Sequence, residues 1–183
     1  MKKIIAMLAL VAAGSAFAGS ASVEYQSWDN PTTGADTTGL VVSVRENLTQ
    51  SIVGDVALST NQADAGTRAV GARAEAGLTY SVPVGVIAGY VRGASGVKYS
   101  TGASTSFYSV EPGVSMKVTN SLTAKVGYRF RDAYDSTVAD QTRTVRAGLS
   151  YALSKQDSVG IRYDRQRGDS LQNIWAVNYT RGF

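Results

Sequence analysis

The chain has 183 residues, a hydrophobic fraction of 44% and a formal charge of +4, with no Cys and no His. Beyond its N-terminal stretch there is no apolar run of the roughly 20 residues that a membrane-spanning helix needs. That excludes a helical membrane protein but not a β-barrel, whose alternating pattern averages to a soluble-looking hydropathy.

Met1-Lys2-Lys3 is a short basic head, and Ile4 to Ala18 is an apolar run too short for a bilayer span. The run ends Ala16-Phe17-Ala18, the small-x-small pattern of a signal-peptidase site. Residues 1–18 therefore read as a Sec signal peptide and 19–183 as the mature domain, whose formal charge falls from +4 to +2 with the loss of Lys2 and Lys3. The lack of Cys fits an exported protein held together without disulfides, and it leaves no lipoprotein anchor. No basic run or aromatic-basic cluster points to nucleic acid.

From there the chain alternates, which places successive side chains on opposite faces of a strand. Ala21 to Trp28 sets Ala21, Val23 and Tyr25 against Ser22, Glu24 and Gln26. Asp29 to Thr38 is a loop of turn formers. Gly39 to Arg45 sets Leu40, Val42 and Val44 against Ser43 and Arg45, and Glu46 to Thr49 is tight. Gln50 to Ser59 carries Ile52, Val56 and Leu58 opposite Asp55, and Thr60 to Gly66 is a polar loop. Arg68 to Tyr80 opposes Val70, Leu78 and Tyr80 to Arg73 and Glu75; alternation over this length outweighs its helix-like alanines. Ser81-Val82-Pro83 reads as a turn, since Pro cannot donate to a central ladder.

Val84 to Gly93 admits two registers, and we place Val84, Val86, Ala88 and Tyr90 toward lipid so that Tyr90 becomes an interfacial anchor. Ser95 to Ala103 reads as a loop. Ser106 to Val118 opposes Tyr108, Val110, Val114 and Met116 to Glu111 and Lys117, with Pro112 calling for a bulge. Thr119-Asn120-Ser121 is a short turn before Leu122 to Arg131, where Val126, Tyr128 and Phe130 alternate with Lys125, Arg129 and Arg131. Asp132 to Gln141 is a polar loop. Thr142 to Ala152 carries Arg146 opposite Val145 and Leu149. After the short Leu153 to Gln156, Asp157 to Arg165 carries Arg162 and Asp164 opposite Ile161 and Tyr163. Arg167 to Leu171 is a loop, and the final strand places Trp175, Val177, Tyr179 and Phe183 on one face, with Arg181 breaking the pattern.

These segments give an all-β fold, a closed antiparallel up-and-down transmembrane barrel of about 10 strands, or about 8 if weak segments merge. Tight periplasmic turns alternate with longer polar external loops, an asymmetry that a Greek-key sandwich lacks. Tyr25, Trp28, Tyr90, Tyr108, Phe130, Tyr163 and Trp175 fall at the external interface, and Tyr80, Tyr151 and Phe183 at the periplasmic one, as two aromatic girdles. In lipid an open sheet edge is not tolerated, so the last strand must pair with the first.

The inward face then carries Arg45, Arg73, Lys117, Lys125, Arg129, Arg131, Arg146 and Arg162 against Glu24, Asp55, Glu75, Glu111 and Asp164. Buried charges are costly unless paired or wet. One reading is a salt-bridge network that plugs a structural barrel; the other is a slightly positive, porin-like channel for small or anionic solutes. The loop acids Asp29, Asp36, Asp64, Asp132, Asp135 and Asp140 read as solvated, with no dedicated metal-ligand spacing. Adhesion through the external loops is the alternative function.

The ending from Trp175 through Val177 and Tyr179 to Phe183 resembles the C-terminal assembly signal of bacterial outer-membrane barrels. An arginine-bearing lumen in a small monomeric barrel also resembles the oligogalacturonate-type porin family, whose members pass acidic oligosaccharides. That resemblance is one of pattern, to a fold about one hairpin longer, and carries over no binding residue. It implies a Gram-negative outer-membrane location without a cofactor. The implied partners are outer-membrane lipid and lipopolysaccharide, the barrel-assembly machinery and periplasmic chaperones. Omptin-type proteases and outer-membrane phospholipases use His, which this chain lacks, so no enzyme of that kind is expected.

Overall fold

A computed structural model describes residues 19–31, 36–63, 70–100 and 102–183; the signal-peptide reading of 1–18 lies outside them, as do Asp64 and the start of the strand read from Arg68. Ten strands follow in chain order: β1 (Gly19–Asp29), β2 (Asp36–Asn47), β3 (Ile52–Ala63), β4 (Val70–Val84) and β5 (Ile87–Ser100), then β6 (Ala103–Lys117), β7 (Leu122–Ala133), β8 (Thr142–Ala152), β9 (Asp157–Gly168) and β10 (Gln172–Gly182). Each strand pairs with its sequence neighbours, and β1 pairs with β10, so the sheet closes into a barrel. The closing register runs from Ser20 opposite Gly182 to Asp29 opposite Asn173. Beyond it the Phe183 N–H donates to the Gly19 carbonyl at 3.0 Å. Closure gives every strand two partners, the condition for a sheet in hydrocarbon.

The period-2 pattern becomes two faces of one wall. Val56, Leu78, Val114, Val126, Leu149, Ile161 and Val177 all stand exposed on the outside. A continuous apolar belt of this kind is a liability in water and a match to lipid. Aromatic pairs sit toward the external end of the belt. The Tyr163 and Trp175 rings, opposite each other in the β9–β10 register, lie 4.7 Å apart. Tyr108 lies between Phe130 at 6.2 Å and Tyr134 at 5.4 Å. Trp28 departs from the expected girdle: it points inward, where its ring occupies the space that a Cβ at Gly39 would need. Its even number puts it on the face of Glu24 and Gln26, so the strand's own parity explains the correction.

Three of the tight connections use one device. The Leu48 and Thr49 N–H groups donate to the Ile52 carbonyl, Val118 and Thr119 to Leu122, and Leu153 and Ser154 to Asp157. In each, the hydroxyl of the second residue accepts two backbone N–H groups: Thr49 from Ser51 and Ile52, Thr119 from Ser121 and Leu122, Ser154 from Gln156 and Asp157. A short hydroxyl side chain thereby satisfies donors that the ladder leaves free. The fourth connection differs. Pro83 does not turn the chain but pairs with Ala88 at the end of β4. The turn is Gly85 and Val86, and Gly85 takes φ +63 at the first central position, where a two-residue hairpin of this kind calls for glycine.

Two further expectations change. The segment read as a loop from Ser95 to Ala103 is mostly strand, because β5 runs to Ser100 and β6 starts at Ala103. Its Gly, Ala and Ser content looked like a loop but fits a two-sided wall. One external connection is therefore short, with Gly102 at φ +82. Pro112 needs no bulge. It stays paired with Val91 on the β5 side, while the β6–β7 ladder lapses by two residues on each strand, from Val110 opposite Phe130 to Gly113 opposite Gly127. Proline has no N–H to give, and the lapse falls there.

Candidate functional site in the lumen

Inward parity carries Glu24 on β1, Arg45 on β2, Asp55 on β3, Arg73 and Glu75 on β4 and Glu111 on β6 to one cavity. Lys125, Arg129 and Arg131 on β7, Arg146 on β8, and Arg162 and Asp164 on β9 join them. The cavity has a volume of about 780 Å³. Its lining runs from Ser22, Ser158 and Thr180 at one end of the strands to Trp28, Lys98 and Gln172 at the other. Lys117 lies outside the lining, exposed at the last residue of β6. Nine lysines and arginines line the cavity against seven carboxylates.

The β5 register is the main correction. Ile87, Val91 and Tyr99 face outward and exposed, whereas Tyr90 is buried inside. The Tyr90 hydroxyl donates to Glu111 Oε1 at 3.1 Å. Its ring lies 4.1 Å under Lys125 Nζ. Gly113 and Gly127, opposite each other on β6 and β7, make the seat: a Cβ on either would strike the phenol. The same inversion brings in Arg92 and Lys98, which sequence reasoning missed. Arg92 shares a face with Tyr90, so placing Tyr90 in lipid would have placed a guanidinium there too. That charge was the available signal.

Ion pairs organise the wall into three groups. Arg92 binds Asp55 at 2.5 Å and Glu75 at 2.6 Å, and Glu75 also pairs with Arg73. Arg146 joins Glu111 at 2.8 Å to Asp164 at 3.1 Å, Asp164 faces Arg162 at 3.0 Å, and Arg162 holds Glu24 at 2.8 Å. Asp140 receives Lys98 at 2.5 Å and Arg131 at 2.9 Å. Asp140, expected as a solvated loop acid, is instead buried at 4% exposure because its end of the connection folds inward. On the exposed part of the same connection, the Thr137 hydroxyl and then its backbone N–H hold the Asp135 carboxyl below its ordinary pKa.

Among the described residues, every lumen ion pair between two strand residues links the same strand, adjacent strands or next-but-one strands, while Asp140, two residues before β8, pairs with Arg131 on β7 and with Lys98 three strands away on β5. In a ring of ten strands the opposite wall lies five strands away. The network therefore runs along the wall instead of across the bore. Among the described residues, Arg45, Lys125 and Arg129 face the cavity without a carboxylate partner. Arg45 on β2 and Lys125 on β7 stand on opposite walls. Arg129 is only 4% exposed, and its Nε has no partner among the described residues.

Outside the barrel, Trp175, Val177, Tyr179 and Phe183 share the exposed face of the closing strand. Arg181, the misfit in that pattern, lies 3.6 Å from Asp157, its register partner on β9. Asp157 also accepts the Tyr179 hydroxyl at 2.5 Å.

A closed sheet of this strand order, apolar without and charged within, is the decisive observation. The fold is that of bacterial outer-membrane β-barrels. The barrel is similar to the beta domain of the Bordetella autotransporter Brka, with a TM-score of 0.61 at 11% identity over 91% of this chain and 100% of that one. It is similar to an outer membrane channel from Pseudomonas putida F1, with a TM-score of 0.57 at 12% identity over 91% and 96% of the two chains. The KdgM porin matches with a TM-score of 0.50 at 13% identity over 88% and 99%. No family model matches the barrel, and no curated protein matches it in sequence.

Proposed function

We propose that the protein is a narrow channel of the bacterial outer membrane that passes small solutes and prefers anions. The observation that carries this reading is the course of the ion pairs. A plug would tie opposite walls together, whereas the pairs between strand residues stay within two strands of one another and leave a cavity along the barrel. Among the described strand residues that face the lumen, the unpaired charges have one sign. Each cavity-lining carboxylate on a strand has a cation, while Arg45, Lys125 and Arg129 have no carboxylate; the lining acid Asp169, on a connection, accepts the Gln141 N–H. Fixed cations along a pore raise the local concentration of anions and lower their entry barrier. The likeness to an outer membrane channel and to the KdgM porin agrees with a conducting role.

Planar-bilayer recording of the refolded barrel under a KCl gradient tests this. The expected result is a reversal potential on the chloride side of zero, moved toward zero by Lys125→Gln with Arg129→Gln. A barrel that is folded yet silent would favour a structural or adhesive role and overturn the reading.

A further inference from the structure

The external mouth holds a carboxylate that the wall does not supply. Of the described acids that ion-pair in the lumen, Asp140 alone sits on a connection instead of a strand. Residues 134–139 of that connection are exposed, and Asp140 is then buried against Lys98 Nζ at 2.5 Å and Arg131 Nη2 at 2.9 Å. Its second oxygen, Oδ2, is buried without a partner among the described residues. Lys98 remains 37% exposed, and both cations line the cavity. The other root of the connection is tied outside the barrel, where the Tyr134 hydroxyl donates to Ser95 Oγ at 3.2 Å and its ring packs on Tyr108. The segment thus straddles the rim. Asp140 stands outside the ladder, unlike Glu111 or Asp164, so it can swing out with residues 134–139 while Gln141 stays tied to Asp169.

We propose that Lys98 and Arg131 form an entry site for the carboxylate of an anionic solute, and that Asp140 is a tethered carboxylate occupying that site when no solute is bound. This deepens the channel reading and rests on it. The chemistry is matched: an ammonium and a guanidinium 2.5 and 2.9 Å from one carboxylate present to a solute the same donors they present to Asp140. A competitor tethered to its own site reduces apparent affinity by the fraction of time the site is open. Entry of a solute carboxylate displaces the Asp140 carboxylate from both cations, while Gln141 keeps the base of the connection in place.

The test is calorimetric titration of citrate, a compact tricarboxylate, into the full barrel refolded in detergent. Asp140→Asn should tighten citrate binding about tenfold, as for a site self-occupied nine-tenths of the time. Adding Lys98→Gln should remove that gain. Lys98→Gln in the otherwise unchanged chain, which keeps Asp140 and Arg131 to hold the loop, should weaken citrate below the natural protein. Equal citrate affinity in the natural and Asp140→Asn barrels would overturn the proposal, as would undiminished binding by Lys98→Gln. Failure of the channel reading registers separately, as absence of current from the same preparations in planar bilayers.

Discussion

Arg162 grips both oxygens of Glu24, at 2.8 and 3.0 Å, across the strand that closes the barrel. The pair joins β9 to β1 over β10 and so ties the seam where the two ends of the chain meet. Its partner Asp164 continues the tie to Arg146.

Arg162→Met strands Glu24 and leaves Asp164 with one cation. Breaking a fully buried pair costs about 3–5 kcal/mol. Because Arg162 keeps a quarter of its side chain exposed, a loss of about 2 kcal/mol is expected. Urea unfolding in detergent micelles, followed by Trp fluorescence, measures it.

Gly127→Ala puts a methyl group against the Tyr90 hydroxyl and the Glu111 side chain. Overpacking of this kind costs about 1–3 kcal/mol. Tyr90→Phe removes the struck oxygen, at the loss of one hydrogen bond to a carboxylate. The double variant should be more stable than the sum of the single effects implies, by at least about 0.5 kcal/mol in a double-mutant cycle. Strict additivity would mean that the phenol does not seat on these glycines.

Neutralising Arg146 and neutralising Arg129 should have opposite signatures. Arg146 holds Glu111 and Asp164, so Arg146→Gln releases two carboxylates into the bore and destabilises the wall. Arg129 has no carboxylate to release, so Arg129→Gln should lower anion preference with little loss of stability. Reversal potentials and unfolding midpoints, read on the same two variants, separate the cases.

Truncation before Phe183 removes the aromatic end of the closing strand and the N–H that donates to Gly19. If the C-terminal pattern serves assembly, the membrane fraction should hold several-fold less heat-modifiable barrel, with the deficit recovered as periplasmic or degraded chain.

The sequence made the wall legible because alternation is local: Leu122 to Arg131 announces its two faces without reference to any neighbour. It made the lumen legible wherever a charge shared a face with other polar residues. It failed on β5, where Gly, Ala and Ser occupy both faces from Gly93 to Gly96 and little hydrophobic contrast sets the phase. The charges Arg92 and Lys98 carry the phase there, and the attraction of Tyr90 to an interface outweighs them. Asp140 was illegible for a different reason. Its burial depends on Lys98 and Arg131, which lie 42 and 9 residues away, and no local pattern reports where a loop end will fold.

The central claim is that unpaired cations facing an open bore make this barrel an anion-preferring channel. The direct measurement is the zero-current potential of the purified natural chain in a planar bilayer under a KCl gradient. The account predicts discrete conductance with a potential on the chloride side, shrinking as ionic strength screens the fixed charges. A stable barrel that carries no current, or one whose potential lies on the potassium side, would contradict it.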